Sequence, residues 1–212
     1  MNTSFIKYTG GKYNKTQKYK RTFKRSGIYT KKNKYGLGTY TKKSIPADTV
    51  ILKERPSVLN DVYNNEYLFK LIKYLLKHNK KDFLNLVPHK LDETTTVDYE
   101  IIKERHLRFF PNLDEETMKL YYYKILRNWF NFDGKSVILF YGTKLNHSCN
   151  NNITYYKEGD VMVFKTTRKI KAGEELFDAY INCSICKNDR QEKLKQSYGF
   201  DCQCEKCKNE KE

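Results

Sequence analysis

An α+β domain with its strands split by a helical insertion is predicted from three features of the sequence. Short β-type runs around Gly and Pro fill residues 27 to 58, GIYTKKNKYGLGTYTKKSIPADTVILKERPSV. A helical apolar period follows, and after Asp133-Gly134 the β-type runs return. Strands, then helices, then strands again put the sheets on both sides of a helical segment in sequence.

Element by element, residues 1–26 show no periodicity and read as a flexible basic arm. TVILKE reads as a strand, with Pro46 and Asp48 marking the turn before it. Leu68, Leu71, Ile72, Leu75 and Leu76 fall at i, i+3, i+4, i+7 and i+8, one face of a helix. Residues 80 to 110 are polar and show no clear period. A second helix is predicted from Asp114 to about Phe130, with Asp114 as N-cap and acids in the first turn. SVILFY is the next strand, and ITYY and VMVFKTT form a hairpin across Glu158-Gly159-Asp160. LFDAY follows the Ala172-Gly173 turn, and a last helix from about Asn188 to Tyr198 closes on Gly199.

Composition narrows the classes of function. With 212 residues, eighteen Tyr and twelve Phe, the chain is long and aromatic enough to bury a core. No run of about 18 apolar residues exists to span a membrane, and MNTSFIKYTGGKYNK has no apolar signal core. The expectation is an unsecreted, intracellular protein of nucleus or cytoplasm, where six Cys bind metal or stay free rather than pair. Residues 1–47 hold thirteen Lys or Arg and no acid, so +13 of the +16 net charge sits there and +3 on the rest. Such a stretch suits contact with nucleic acid or a nucleosome by counterion release, although a solvated tail needs no partner.

Two stretches carry chemistry. KLNHSCNNN, residues 144–152, sets His147 and Cys149 close together: a metal ligand, a hydrolytic Cys/His pair or a tight polar loop. FDCQCEKC supplies Cys202, Cys204 and Cys207, three thiols that can wrap one zinc ion and need a fourth ligand. Cys149, His147, Cys183 and Cys186 are the candidates for it.

NHSC at 146–149, GEELFDAY at 173–180, YGFDCQCEKC at 198–207 and the glycine-rich opening with Gly36 and Gly38 resemble the SET-domain protein methyltransferases, nearest their SMYD (SET and MYND) branch. The matching segments lie across residues 27 to 207, and residues 59–127 match only in being a helical insertion. The resemblance implies a β-clip fold of short sheets with a pseudoknot-like C-terminal segment. It divides the chain into an arm (1–26), a SET domain (27–200, with the insertion at 59–135) and a post-SET zinc tail (201–212). It implies an S-adenosylmethionine-dependent protein-lysine N-methyltransferase, acting as a monomer on histones or other basic proteins. One structural zinc would be held by Cys149, Cys202, Cys204 and Cys207. Gly36, Leu37, Gly38, Asn128, Asn146, His147, Tyr180 and Phe200 would contact the cofactor, the glycines by letting backbone approach it and Phe200 by packing on the adenine. Tyr180 would be the catalytic hydroxyl, and Phe130 and Tyr198 would complete the lysine channel.

Three departures qualify the resemblance. Asn151 stands where the family writes Pro, which would have stiffened the loop. No Cys/His-rich finger follows Val58, and five residues follow Cys207, so the helical roof of the SMYD substrate cleft is not expected here. Cys183 and Cys186 match no ligand and are expected as free thiols, with a second metal site as the minor alternative. Two rival readings stand beside the enzyme. One is a Cys/His hydrolase with Cys149 as nucleophile. The other is a zinc-stapled binding module of weak activity that tethers chromatin or nucleic acid through the arm.

Overall fold

The apolar face that starts at Leu68 is the face that buries. In the computed structural model, which describes residues 27–33, 36–59 and 65–210, Leu68, Phe69, Ile72 and Leu75 are wholly shielded from solvent. Each such side chain contributes about 1.5–3 kcal/mol relative to exposure. The expected basic arm, residues 1–26, lies outside the described residues.

In chain order the elements are β1 (Ile28–Asn33), β2 (Gly36–Thr41), β3 (Val50–Glu54), β4 (Ser57–Leu59), α1 (Asn65–His78), α2 (Lys80–Leu84), α3 (Tyr99–Phe109) and α4 (Glu115–Leu126). They continue as β5 (Trp129–Phe132), β6 (Lys135–Ile138), β7 (Asn146–His147), β8 (Ile153–Glu158), β9 (Val161–Thr166), β10 (Phe177–Asp178), α5 (Lys187–Tyr198) and α6 (Glu205–Asn209). Among the described residues four small sheets form, ordered β1-β2, β3-β9-β8, β4-β6-β5 and β7-β10. This is the expected α+β architecture of short sheets, with β3 and β9 paired antiparallel across the helical insertion. One core lies among the helices around Phe69, Met118 and Ile125, and a second among the sheets around Leu52, Val137 and Phe164.

The structure redraws the insertion in two places. The helix from Asp114 stops at Leu126, and Trp129–Phe132 form a strand that pairs with β6. Asp133 and Gly134 both take positive φ, 56° and 75°, the two-residue turn whose twist suits a hairpin. Among the described residues the helices lie within 65–126, and β5, the Asp133-Gly134 turn and the start of β6 fill the rest of the expected insertion up to 135. The other change is α3, in the stretch without a visible period. Only Ile102 and His106 bury on it, too few to print a stripe. Its start is an Asp98 cap on the Glu100 N–H, 3.0 Å. His106 is held between the Tyr99 hydroxyl (2.6 Å) and the Leu113 carbonyl (2.9 Å), so a polar residue does a core residue's work. Asp114 caps α4 through the Thr117 N–H at 2.8 Å, as expected. Gly199 closes α5 at φ 77°, where a β-carbon would also strike Thr94.

Candidate functional site

Three anchors fix the loop that carries Asn146, His147 and Cys149. The buried Glu54 carboxylate, on β3, accepts the N–H groups of Phe140 (2.6 Å), Tyr141 and Gly142 (3.0 Å), pinning the backbone that leads into the loop. β7 pairs in parallel with β10, which sets Asn146 against Phe177 and His147 against Asp178. Asn152, wholly buried, accepts the Phe177 N–H (2.8 Å) and donates to the Glu175 carbonyl (2.8 Å). Asn151, in place of the family's Pro, donates to the Ile153 carbonyl at 2.8 Å, a local brace that replaces the lost ring constraint.

Beside this loop opens a cleft of about 720 Å³, lined among others by Asn146, His147, Glu175, Tyr180 and Phe200. The Tyr180 hydroxyl donates to the Leu145 carbonyl at 2.7 Å, which leaves its oxygen lone pairs as acceptors. Burial, then the neighbouring Asp178 charge, pushes the Tyr180 phenol well above its ordinary range, so it stays protonated. The Tyr198 ring lies 4.9 Å from the Tyr180 ring, and Phe200 is 6.1 Å from His147. Asn146 Nδ2 donates to the Leu37 carbonyl (3.0 Å) and to Glu175 (2.8 Å). The structure thus brings together Asn146, His147, Tyr180, Tyr198 and Phe200, and reaches Leu37 through its carbonyl.

The glycines and two side chains stand differently from their expectation. A β-carbon at Gly38 would run into the Glu175 carboxylate and the Tyr40 ring, so the space Gly38 leaves is filled by protein. Gly36, at φ 118°, needs to be glycine for its backbone, and nothing crowds its missing side chain. Asn128 is not among the residues lining the cleft. It is buried, and its amide donates to the carbonyls of Val87 (2.5 Å) and Lys124 (2.9 Å), tying the turn after α2 to α4. Phe130 sits in the sheet core, edge-on to Tyr155 and Phe164, and not against Tyr180.

Cys149, Cys202, Cys204 and Cys207 converge so that their sulfur atoms all lie within 4.8 Å of one another. Cys149 is 3.5 Å from Cys207 and 3.9 Å from Cys202. Four bonds of about 2.3 Å in a tetrahedron set sulfurs about 3.8 Å apart, so the thiols fit one zinc ion. Arg190 adds to this fit: fully buried, it points Nη2 at Cys207 (3.7 Å) and pairs with Glu210, a positive charge beside what would be a doubly negative tetrathiolate. Cys183 forms a second, three-residue group with His147 and Cys149, and Cys186 is exposed and belongs to neither group.

The hydrolase reading fails on a proton. His147 Nε2 is 3.3 Å from Cys149, within reach for a base, but its Nδ1 accepts the Tyr180 N–H at 3.0 Å. The proton therefore sits on Nε2, which donates to the sulfur and cannot take a proton from it. Burial, then the Arg190 charge, lowers the His147 pKa to about 4, so the ring is neutral.

Three site residues escaped the sequence reading: Glu175, Asp178 and Arg190. Glu175 and Asp178 lie inside GEELFDAY, where the motif singles out only Tyr180, and the helix of Arg190 carries no apolar stripe to mark an inward face. Asp178 is 2% exposed, and burial pushes its pKa up to about 7. Below about pH 4 the acid is protonated whether folded or unfolded. Between about 4 and 7 only the unfolded chain ionises, so stability falls as pH rises through that window and levels off above it. Asp178→Asn removes this penalty. Denaturant unfolding is expected to show the variant gaining up to about 4 kcal/mol over wild type at pH 8 and little at pH 4; an equal difference at both pH values would show that Asp178 is not the titrating group.

Comparison with known proteins gives these arrangements a context. The sequence model of the SET domain matches residues 36–181. The SET domain-containing protein L678 of Acanthamoeba polyphaga mimivirus is 34% identical over 197 residues, 86% of this chain and 76% of that protein. The N-lysine methyltransferase SMYD2-B of Xenopus laevis is 40% identical over 63 residues, 30% of this chain and 15% of that protein. Among solved structures, the SET domain of LSMT bound to MeLysine and AdoHcy superposes with a TM-score of 0.64 at 16% identity, over 87% of this chain and 54% of that one. That likeness speaks to the fold. Among the described residues, no helix is long and apolar enough to cross a membrane.

Proposed function

Because this chain belongs to the SET-domain family of protein lysine methyltransferases, we propose that it moves the methyl group of S-adenosylmethionine to a lysine amine of a basic protein, histones first among them. The observation that carries the reading is the Tyr180 hydroxyl. Its proton is committed to Leu145, and the residue lines the cleft together with Asn146 and Phe200.

When bound, S-adenosylmethionine supplies an electrophilic methyl group on a sulfonium. The residues of this chain align the rest. Asn146 and the backbone of His147 hold the amino-acid and adenine portions, and Phe200 packs on the adenine. Tyr180 would accept an N–H of the lysine amine and so turn the amine's own lone pair toward the methyl group, while Tyr198, ring against ring with Tyr180, walls the approach. Positioning of this kind is worth roughly 7–11 kcal/mol of barrier. The aromatic wall also favours loss of the ammonium proton before transfer, because it solvates charge poorly. Cys149, Cys202, Cys204 and Cys207 hold zinc as a staple that keeps Phe200 and the last segment against the cleft.

The SMYD branch is favoured by the Cys pattern and by the short match to SMYD2-B, and the division into arm, SET domain and post-SET tail is part of the same reading. Lys31, Lys32, Lys42 and Lys43 are exposed and extend the charge of residues 1–26, which suits a nucleosome or nucleic-acid partner for a nuclear or cytoplasmic monomer. Incubation with methyl-labelled cofactor and core histones is expected to label a histone. Label found only on other proteins would move the substrate class, and none on any protein would remove the activity.

A further inference from the structure

GEELFDAY contains two adjacent acids with different fates. Glu174 is paired with Arg168 at 2.6 Å. Glu175 forms no ion pair among the described residues, and yet its carboxylate is held in place inside the cleft. Asn33 Nδ2 donates to it at 3.1 Å, the Tyr40 hydroxyl at 2.7 Å and Asn146 Nδ2 at 2.8 Å. Gly38 gives it room. Lys31 Nζ rests over the Tyr40 ring, 4.3 Å from its centroid, and not on the carboxylate. All three donors are neutral, so among the described residues the carboxylate lines the cleft with its geometry fixed and no cation paired to it.

The same network settles the orientation of Asn146. Its two neighbours on one side, the Leu37 carbonyl and the Glu175 carboxylate, are both acceptors, so Nδ2 must face them. Oδ1 then points away from both, as an acceptor for a cation. A carboxylate lining a cleft, with an amide oxygen on the adjacent Asn146, can receive an alkylammonium.

We propose that Glu175 is the anionic counter-group for the α-ammonium of the cofactor's amino-acid end, both by its charge and by locking Asn146 with its carbonyl oxygen toward the same cation. The inference rests on the proposed use of S-adenosylmethionine. Glu175 acts here as a binding and positioning residue and takes no part in the transfer itself.

The test is calorimetric binding of S-adenosylhomocysteine and of its deaminated analogue, in which hydrogen replaces the α-amino group, to the zinc-loaded full chain. Wild type is expected to lose about tenfold or more in affinity when the amino group is removed, the size of a charge-assisted hydrogen bond. Glu175→Gln is expected to weaken S-adenosylhomocysteine by a similar factor and to leave the analogue within about threefold of wild type. Equal weakening of both ligands would make Glu175 a brace of the fold only and overturn the proposal. So would a wild type that binds the two ligands alike, a comparison that needs no variant. A wild type that binds neither ligand would overturn the cofactor reading itself.

Discussion

Tyr180→Phe is expected to lower methyl transfer by about 10²–10³-fold, the range seen when one preorganised polar group is removed from a reacting centre. The loss should fall on turnover, with S-adenosylhomocysteine binding within a few fold of wild type. The reason is local. The ring stays packed on Tyr198, and the backbone N–H still bonds His147 Nδ1, so the walls of the cleft survive. Only the oxygen goes, and with it the acceptor that orients the amine. The Leu145 carbonyl also loses its donor, at a cost of about 1–3 kcal/mol in stability, which thermal unfolding would record separately. Single-turnover methylation assays read the prediction directly, and unchanged turnover would take Tyr180 out of the chemistry.

One zinc per chain is expected by metal analysis, and its removal is expected to release the C-terminal segment. Apparent binding free energies of structural zinc run at about 10–16 kcal/mol near neutral pH, and that energy is folding energy for whatever the ligands tie down. Here the ligands tie residues 202–207 to Cys149, one residue after the backbone of β10 bonds the Ser148 N–H. Stripping the metal leaves four crowded thiols, with the buried Arg190 guanidinium beside Cys207. Chelation, or Cys207→Ser, should expose residues beyond Tyr198 to proteolysis and weaken S-adenosylhomocysteine binding, because Phe200 leaves the cleft. Helix signals from α1 to α4 should persist, since their core is separate. A metal-free chain that keeps its tail and its cofactor affinity would refute the four-Cys assignment.

How much of this was legible in the sequence depends on the kind of residue. α1 announced itself because five apolar side chains repeat at helical spacing, and the β8–β9 hairpin because Gly159 sits between two alternating runs. α3 did not, since its inward face is one Ile and one His satisfied by a tyrosine and a carbonyl. The helix from Asp114 was carried to about Phe130, into the first half of β5, because Ile125, Leu126, Trp129 and Phe130 keep a helical spacing, and the Asp133-Gly134 turn that folds the strand back was read only as the start of the next strand. The four-cysteine cluster and the cleft residues Asn146, His147, Tyr180 and Phe200 could be found because they lie in spaced motifs. Asn128 was placed by motif analogy, but its amide is spent on two carbonyls, a use that only the packing of α4 on the 80s loop reveals. Glu175 was invisible for a related reason: its partners Asn33, Tyr40 and Asn146 come from three separate segments. Only the fold shows that Gly38 is small on their account.

The central claim is methyl transfer to a lysine. Mass spectrometry of core histones and of a cell-extract protein mixture, after incubation with the zinc-loaded chain and S-adenosylmethionine, tests it most directly. Added methyl mass on lysine side chains, absent with Tyr180→Phe, is the expected result. Methyl groups on no lysine of any protein, from a chain that binds S-adenosylhomocysteine and retains its zinc, would contradict it.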